Sequence, residues 1–178
     1  MPRLTDAIRR LYDVPVYRGS SPQVVGRNPG YKPAGARVGW WAHDPAEANE
    51  FLTLTHYPND KPAFQYQEGS TVIPGQLNTR DFAVVDVKGQ RYNNIPTSYI
   101  KDTRLRSALE QEGWSTNADV VSTDILAKLS LKYDIPGITF LNTTDPLGVP
   151  STQYFVADPR RTRIPFPRSN RTGQNLNG

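Results

Sequence analysis

The chain has 178 residues, of which 37% are hydrophobic, with a formal net charge of +4 and a sequence pI of about 9.4. This length suits one domain, and 16 prolines and 13 glycines favour a loop-rich α/β or α+β fold over a helical bundle. No apolar run approaches the ~20 residues of a membrane-spanning helix, and there is no cysteine. We therefore expect a cytoplasmic protein without disulfide bonds or thiolate chemistry.

Short elements separated by a long loop are predicted for the first forty residues. Apolar side chains at helical spacing predict a helix over residues 4–12, and Pro15 ends it. Strands are predicted over Val14–Tyr17 and Val38–Ala42. Residues 21–36 between them are rich in proline and glycine, which predicts a loop of a length that often carries function.

The sequence strongly predicts that a helix begins directly after the second strand. Asp44 has the side chain of an N-cap, Pro45 suits the first helical position, and Glu47 follows three residues after the cap. Asp44 and Glu47 predict a capping box, in which the glutamate bonds to the backbone N–H of the cap residue. The helix is predicted to end at about Leu54.

The remaining elements predict a mixed sheet with flanking helices, which is an α+β fold. Strands are predicted over Thr71–Leu77, Phe82–Val87, Gly137–Leu141 and Gln153–Ala157, and helices over Arg104–Glu112 and from Thr123 to Leu129. We expect a single domain over residues 1–164. Residues 165–178 are basic and then polar, which predicts a weakly ordered C-terminal tail.

Three short segments in a fixed order combine strand-like apolar residues with polar or aromatic ones. They are Val16-Tyr17-Arg18-Gly19-Ser20, Gly39-Trp40-Trp41-Ala42-His43-Asp44-Pro45 and Ser151-Thr152-Gln153-Tyr154-Phe155-Val156-Ala157-Asp158-Pro159. Together they resemble the three signature segments of the ADP-ribosyltransferase fold family, and a weaker likeness covers roughly residues 14–164. The resemblance implies mixed and antiparallel sheets that form a split β-sandwich around a cleft for NAD⁺, with flanking helices.

The same resemblance assigns the first two segments to the binding of NAD⁺. The implied binding residues are Tyr17, Arg18, Gly19, Trp40, Trp41, Ala42 and Phe51. Arg18 stands where the family has an arginine or histidine that contacts the dinucleotide, and a guanidinium suits phosphate and ribose oxygens. Phe51 stands where an aromatic ring often stacks on nicotinamide. From the residues alone, Arg18 is more simply a surface arginine, and the aromatic residues could equally be ordinary core.

Gln153 departs from the third segment of the family, which has a glutamate there. That glutamate accepts a hydrogen bond from the ribose and offsets the positive charge that develops on it. Glutamine keeps the shape without the charge, and losing one preorganised electrostatic group costs about 10²–10³ in rate. Three explanations stay open: an engineered inactivating substitution, a slow natural variant, or a binder without catalysis. The resemblance implies catalytic roles for Gln153 and Arg18.

The implied activity is mono-ADP-ribosylation, in which NAD⁺ is cleaved at the nicotinamide–ribose bond and ADP-ribose is transferred to a protein or nucleic acid. The resemblance implies that this chain is a bacterial or phage toxin or effector that could be delivered into a target cell, with a neutralising immunity protein as a further partner. Ser151 stands where arginine-specific members carry a second acid, which disfavours arginine as the acceptor. The alternative is a non-catalytic module on the same fold that binds nucleic acid or protein. The two histidines, His43 and His56, are too isolated to predict a metal site.

Overall fold

The computed structural model describes Tyr12 and residues 14–20, 38–53, 71–144 and 148–164. The described ranges include the whole of the three segments identified in the sequence. Three predictions lie outside the described residues: the helix over 4–12 apart from Tyr12, the loop over 21–36, and the C-terminal tail over 165–178.

Nine strands and three α-helices make up the described part of the chain, which confirms the α+β class. The strands are β1 (Val14–Ser20), β2 (Gly39–Ala42), β3 (Thr71–Leu77), β4 (Ala83–Asp86), β5 (Ile95–Pro96), β6 (Val120–Val121), β7 (Gly137–Thr143), β8 (Ser151–Val156) and β9 (Thr162–Arg163). The helices are α1 (Pro45–Thr53), α2 (Thr103–Gln111) and α3 (Thr123–Lys132).

Seven of these strands form one mostly antiparallel sheet in the order β4-β7-β8-β2-β1-β3-β9. The pairing of β4 with β7 is parallel, and β5 and β6 form a separate two-stranded ribbon. Because β8 pairs with β7 on one side and with β2 on the other, hydrogen bonding continues across the whole sheet. The described strands thus lack the break that a split β-sandwich implies, and that finer architecture stays a prediction.

Two hydrophobic clusters lie on opposite faces of the sheet, since successive strand residues point to opposite sides. The larger cluster joins α2 and α3 to the sheet through buried residues that include Leu105, Leu109, Leu126, Ile138, Phe140 and Phe155. The smaller cluster comprises Val16, Trp41, Leu77, Phe82, Tyr154 and Val156. Strands β2 and β8 contribute to both clusters, so the middle of the sheet is buried on both sides.

The start of α1 confirms one sequence prediction and corrects another. Oδ1 of Asp44 accepts a 2.7 Å hydrogen bond from the backbone N of Ala46, so Asp44 is the N-cap. Glu47 does not complete a capping box, because its carboxyl group is buried and accepts hydrogen bonds from side chains of β8. A tertiary contact has therefore replaced the local one that the sequence spacing predicts.

Candidate functional site

The three segments identified in the sequence lie on three adjacent strands, β1, β2 and β8. Tyr17 of β1 is opposite Ala42 of β2, and Ala42 is opposite Gln153 of β8. Neighbouring strands are about 4.8 Å apart, so these three residues form a row across the sheet. Segments that are far apart in the sequence are thereby brought to one place.

This row determines which of the predicted site residues share a face of the sheet. Cross-strand partners point to the same face, whereas successive residues in a strand point to opposite faces. One face carries Tyr17, Gly19, Trp40, Ala42 and Gln153, and the other face carries Arg18 and Trp41. The residues predicted to bind NAD⁺ are therefore divided between the two faces.

Gln153 contacts a carboxyl group that the sequence analysis did not assign to the site. Its Nε2 donates a 2.6 Å hydrogen bond to Oε1 of Glu47 on α1. Ser151 lies on the same face of β8 and donates from Oγ to the same oxygen over 2.7 Å. The Ser151 hydroxyl also lies 3.0 Å from Oγ1 of Thr143 on β7. A glutamate is thus present beside position 153, although a helix supplies it.

Glu47 is fully buried, with an exposed fraction of 0%. Burial raises the pKa of its carboxyl group, and the hydrogen bonds from Ser151 and Gln153 oppose that shift. Asp44 raises the pKa further, whereas His43 lowers it. Oε2 of Glu47 is buried and has no hydrogen-bond partner among the described residues. Buried polar atoms in this state are uncommon, and carboxyl groups with a shifted pKa cluster at functional sites.

Sequence reasoning missed Glu47 because a local pattern already accounted for it. The spacing from Asp44 to Glu47 is that of a capping box, in which the glutamate bonds to the backbone N–H of the cap residue. A second signal pointed elsewhere: Ser151 and Gln153 are two polar side chains on one face of a strand whose other residues are mostly apolar. Gln153 is buried and Ser151 is partly buried, so both side chains need hydrogen-bond partners.

Arg18 is buried against the other face of the sheet. Its guanidinium lies over the ring of Trp41, 4.5 Å from the ring centroid, and Nη1 donates to the carbonyl oxygen of Val38 over 3.3 Å. The side chain is 6% exposed, and desolvation by burial lowers its pKa to about 10. Arg18 is therefore not a surface arginine, and its contact with a dinucleotide stays a prediction.

The aromatic residues of the second segment belong to the core. Trp40 packs against Phe140 and Phe155, with ring centroids 5.5 Å and 5.2 Å apart. Trp41 is buried on the opposite face of β2. Phe51 lies within α1, and its side chain is outside the described part of the structure, so stacking on nicotinamide stays a prediction.

Tyr17 lines an open groove of about 470 Å³ at one end of the sheet. The groove is bounded by Pro15, Val16, Tyr17, Pro74, Gly75, Gln76 and Arg163. An aromatic ring from Tyr17 and a cation from Arg163 therefore face the same space, on the side of the sheet that carries Gln153.

The described residues contain no cluster of three or more His, Asp or Glu side chains that could hold a metal ion. Among the helices that the structure describes, none is both long enough and apolar enough to span a membrane. No protein-family model matches the chain, and comparisons with curated proteins and with solved structures find no significant match.

Proposed function

We propose that this chain is a mono-ADP-ribosyltransferase that cleaves NAD⁺ and transfers ADP-ribose to a macromolecular acceptor. The observation that carries the proposal is the row formed by Tyr17, Ala42 and Gln153 on three adjacent strands, with Glu47 beside it. The three segments that resemble the family's signatures are neighbours in the sheet, as a shared site requires.

The chemistry breaks the bond between C1′ of the ribose and N1 of nicotinamide. The electron pair leaves with N1, which neutralises the pyridinium ring, and C1′ gains positive charge before the acceptor attacks it and releases a proton. Such oxocarbenium-like transition states are stabilised by negative charge and by acceptors near the ribose. Gln153 offers an amide oxygen and Glu47 a carboxyl group for this purpose.

The described residues suit NAD⁺ in two respects. The groove beside Tyr17 and Arg163 combines an aromatic ring with a cation, which fits a base and a phosphate. The carboxyl group of Glu47, which lies directly behind Gln153, complements the positive charge that develops on the ribose in the transition state. In this proposal NAD⁺ is a substrate, the acceptor is a protein or nucleic acid, and the reaction takes place in the cytoplasm of the producing or the target cell. An immunity protein that blocks the groove would protect the producer.

The test follows NAD⁺ binding by calorimetry and the release of labelled nicotinamide. We expect the purified chain to bind NAD⁺ and release nicotinamide, and Gln153→Ala to slow release by at least about tenfold. Gln111→Ala is the matched control, because Gln111 is an exposed glutamine that bonds to Ser107 on α2. Absence of NAD⁺ binding at millimolar concentration would overturn the proposal. Label transfer to purified protein or to nucleic acid then identifies the acceptor class.

The glutamine at position 153 favours a second candidate, a non-catalytic module on the same fold that binds nucleic acid or protein. Its neutral amide is already bonded to Glu47, and the chain carries a net charge of +4. This candidate predicts no nicotinamide release and a nucleic-acid affinity that falls steeply with salt. An affinity that does not change with salt would argue against the nucleic-acid form.

A further inference from the structure

The hydrogen bond to Glu47 fixes the Gln153 amide in one orientation. An amide carries its donor at Nε2 and its acceptor at Oε1, on opposite edges of the group. Because Nε2 is 2.6 Å from Oε1 of Glu47, the amide oxygen of Gln153 is turned away from that carboxyl group. Without such a partner, the two orientations of a glutamine amide differ little in energy.

Holding the Gln153 amide in place with the buried acid Glu47 lowers the stability of the fold. Its carboxyl group is buried, Oε2 has no partner among the described residues, and both donors to Oε1 are neutral. His43 favours the charged form of Glu47 through space but does not bond to it, and a buried carboxylate whose bonded partners are neutral destabilises a fold. A glutamine at position 47 would keep an acceptor for Ser151 and Gln153 without any charge. Stability alone therefore does not account for an acid at this position.

We propose that Glu47 is a positioning residue for Gln153, and that the two side chains together replace the single glutamate of related transferases. This inference rests on the proposed function. Glu47 turns the Gln153 amide so that its oxygen accepts the ribose hydroxyl. The Gln153 amide lies between the Glu47 carboxylate and this ribose hydroxyl. The carboxylate supplies the negative charge that glutamine lacks. The pair thus carries the same total charge as one glutamate at position 153.

The test exchanges the two side chains. It compares the wild-type chain with Glu47→Gln, with Gln153→Glu, and with the double exchange E47Q/Q153E. The matched control is Glu112→Gln, because the Glu112 carboxylate also accepts two hydrogen bonds, from Lys132 and Tyr133, but at the surface. Nicotinamide release is measured as kcat and KM across pH, NAD⁺ affinity by calorimetry, and folding by thermal melting.

We expect Glu47→Gln to lower kcat about 10²-fold without lowering the melting temperature, since one preorganised electrostatic group is lost. The Kd for NAD⁺ should stay within about threefold, because the loss falls on the transition state. The double exchange should recover at least about tenfold of the lost kcat, because it rebuilds an acid–amide pair. Gln153→Glu alone brings two carboxyl groups into contact, so its kcat–pH profile should gain a carboxyl titration that is shifted upward.

Two failures are distinguishable. If the wild-type chain turns over NAD⁺ and Glu47→Gln keeps the same kcat, the inference about Glu47 is overturned and the proposed function stands. If no variant binds NAD⁺, and neither does the wild-type chain, the proposed function itself fails. Should Glu47→Gln not fold, the pH profile of Gln153→Glu decides, because an unshifted carboxyl titration there means that Glu47 does not act on position 153.

Discussion

Nε2 of Gln153 and Oε1 of Glu47 are 2.6 Å apart, although the two residues are separated by 106 positions in the chain. A glutamate at position 153 would place two carboxyl groups at this distance, and they could not both ionise. A neutral amide at position 153 can instead donate a hydrogen bond to the Glu47 carboxyl group, as Gln153 does.

Replacing Glu47 with glutamine should stabilise the fold, increasingly so as pH rises. Burial raises the pKa of Glu47, so the folded chain holds this proton more tightly than the unfolded chain. In the wild-type chain, Glu47 therefore contributes stability that is complete below its pKa in the unfolded chain, about 4.3. This contribution is lost as the pH rises through its pKa in the folded chain. We expect the melting temperature of Glu47→Gln to exceed that of the wild type by about 2–4 °C near neutral pH and by less at pH 4.

Glu112→Gln is the control for these melting curves, because its melting temperature should change in the opposite direction. Hydrogen bonds from Lys132 and Tyr133 lower the pKa of Glu112, so its stabilising contribution is present above the unfolded pKa and is lost as pH falls. The variant should melt slightly below the wild type near neutral pH, and the difference should close in acid. A constant difference between Glu47→Gln and the wild type at every pH would contradict a raised pKa at Glu47.

The side-chain amide of Gln153 should be held rigidly by Glu47. Its two Nε2 protons should give separate NMR signals that exchange slowly with water, because the group is buried and bonded to a carboxyl oxygen. Glu47→Ala should speed this exchange by at least about tenfold. The exposed amide of Gln111 serves as the internal reference for rapid exchange. Fast exchange of Gln153 in the wild-type chain would contradict the bond.

Arg163 should contribute to the binding of NAD⁺ through the groove beside Tyr17. We expect Arg163→Ala to weaken binding about tenfold and to reduce its dependence on salt, because a cation that meets a phosphate is lost. Arg160→Ala is the matched control, since Arg160 is outside the groove lining and pairs with Asp158 at 2.9 Å. Equal effects of the two variants would mean that the groove does not hold the phosphates.

Gly75 should not tolerate a side chain, because the ring of Trp41 packs directly on it. A Cβ at this position would lie 2.7 Å from Cζ3 of Trp41. We expect Gly75→Ala to lower the free energy of unfolding by about 1–3 kcal/mol, as overpacked cores do. The smaller ring of Trp41→Phe should relieve part of this loss in the double variant, so the two changes should not be additive in denaturant titrations. Additive effects would show that the two residues are not in contact.

Much of the fold could be predicted because its signals are local. Short segments rich in apolar residues predicted β1, β2, β3, β4, β7 and β8, but not the two-residue strands β5, β6 and β9, and Asp44 with Pro45 predicted the start of α1 to the residue. The division of the site between two faces was also implicit, since neighbours such as Trp40 and Trp41 must point in opposite directions in a strand. The contact of Glu47 with Gln153 could not be predicted, because it depends on how α1 packs against a strand far along the chain.

Strand β8 is among the last described elements in the chain, yet it lies between β7 and β2 near the middle of the sheet. During synthesis, β1, β2 and α1 emerge from the ribosome long before the strand that joins them to β7. The contact with Gln153 cannot form until residues 151–156 have been made and inserted. A nascent chain therefore keeps the Glu47 carboxyl group without its two donors from β8 until almost the whole of the described sheet has been made.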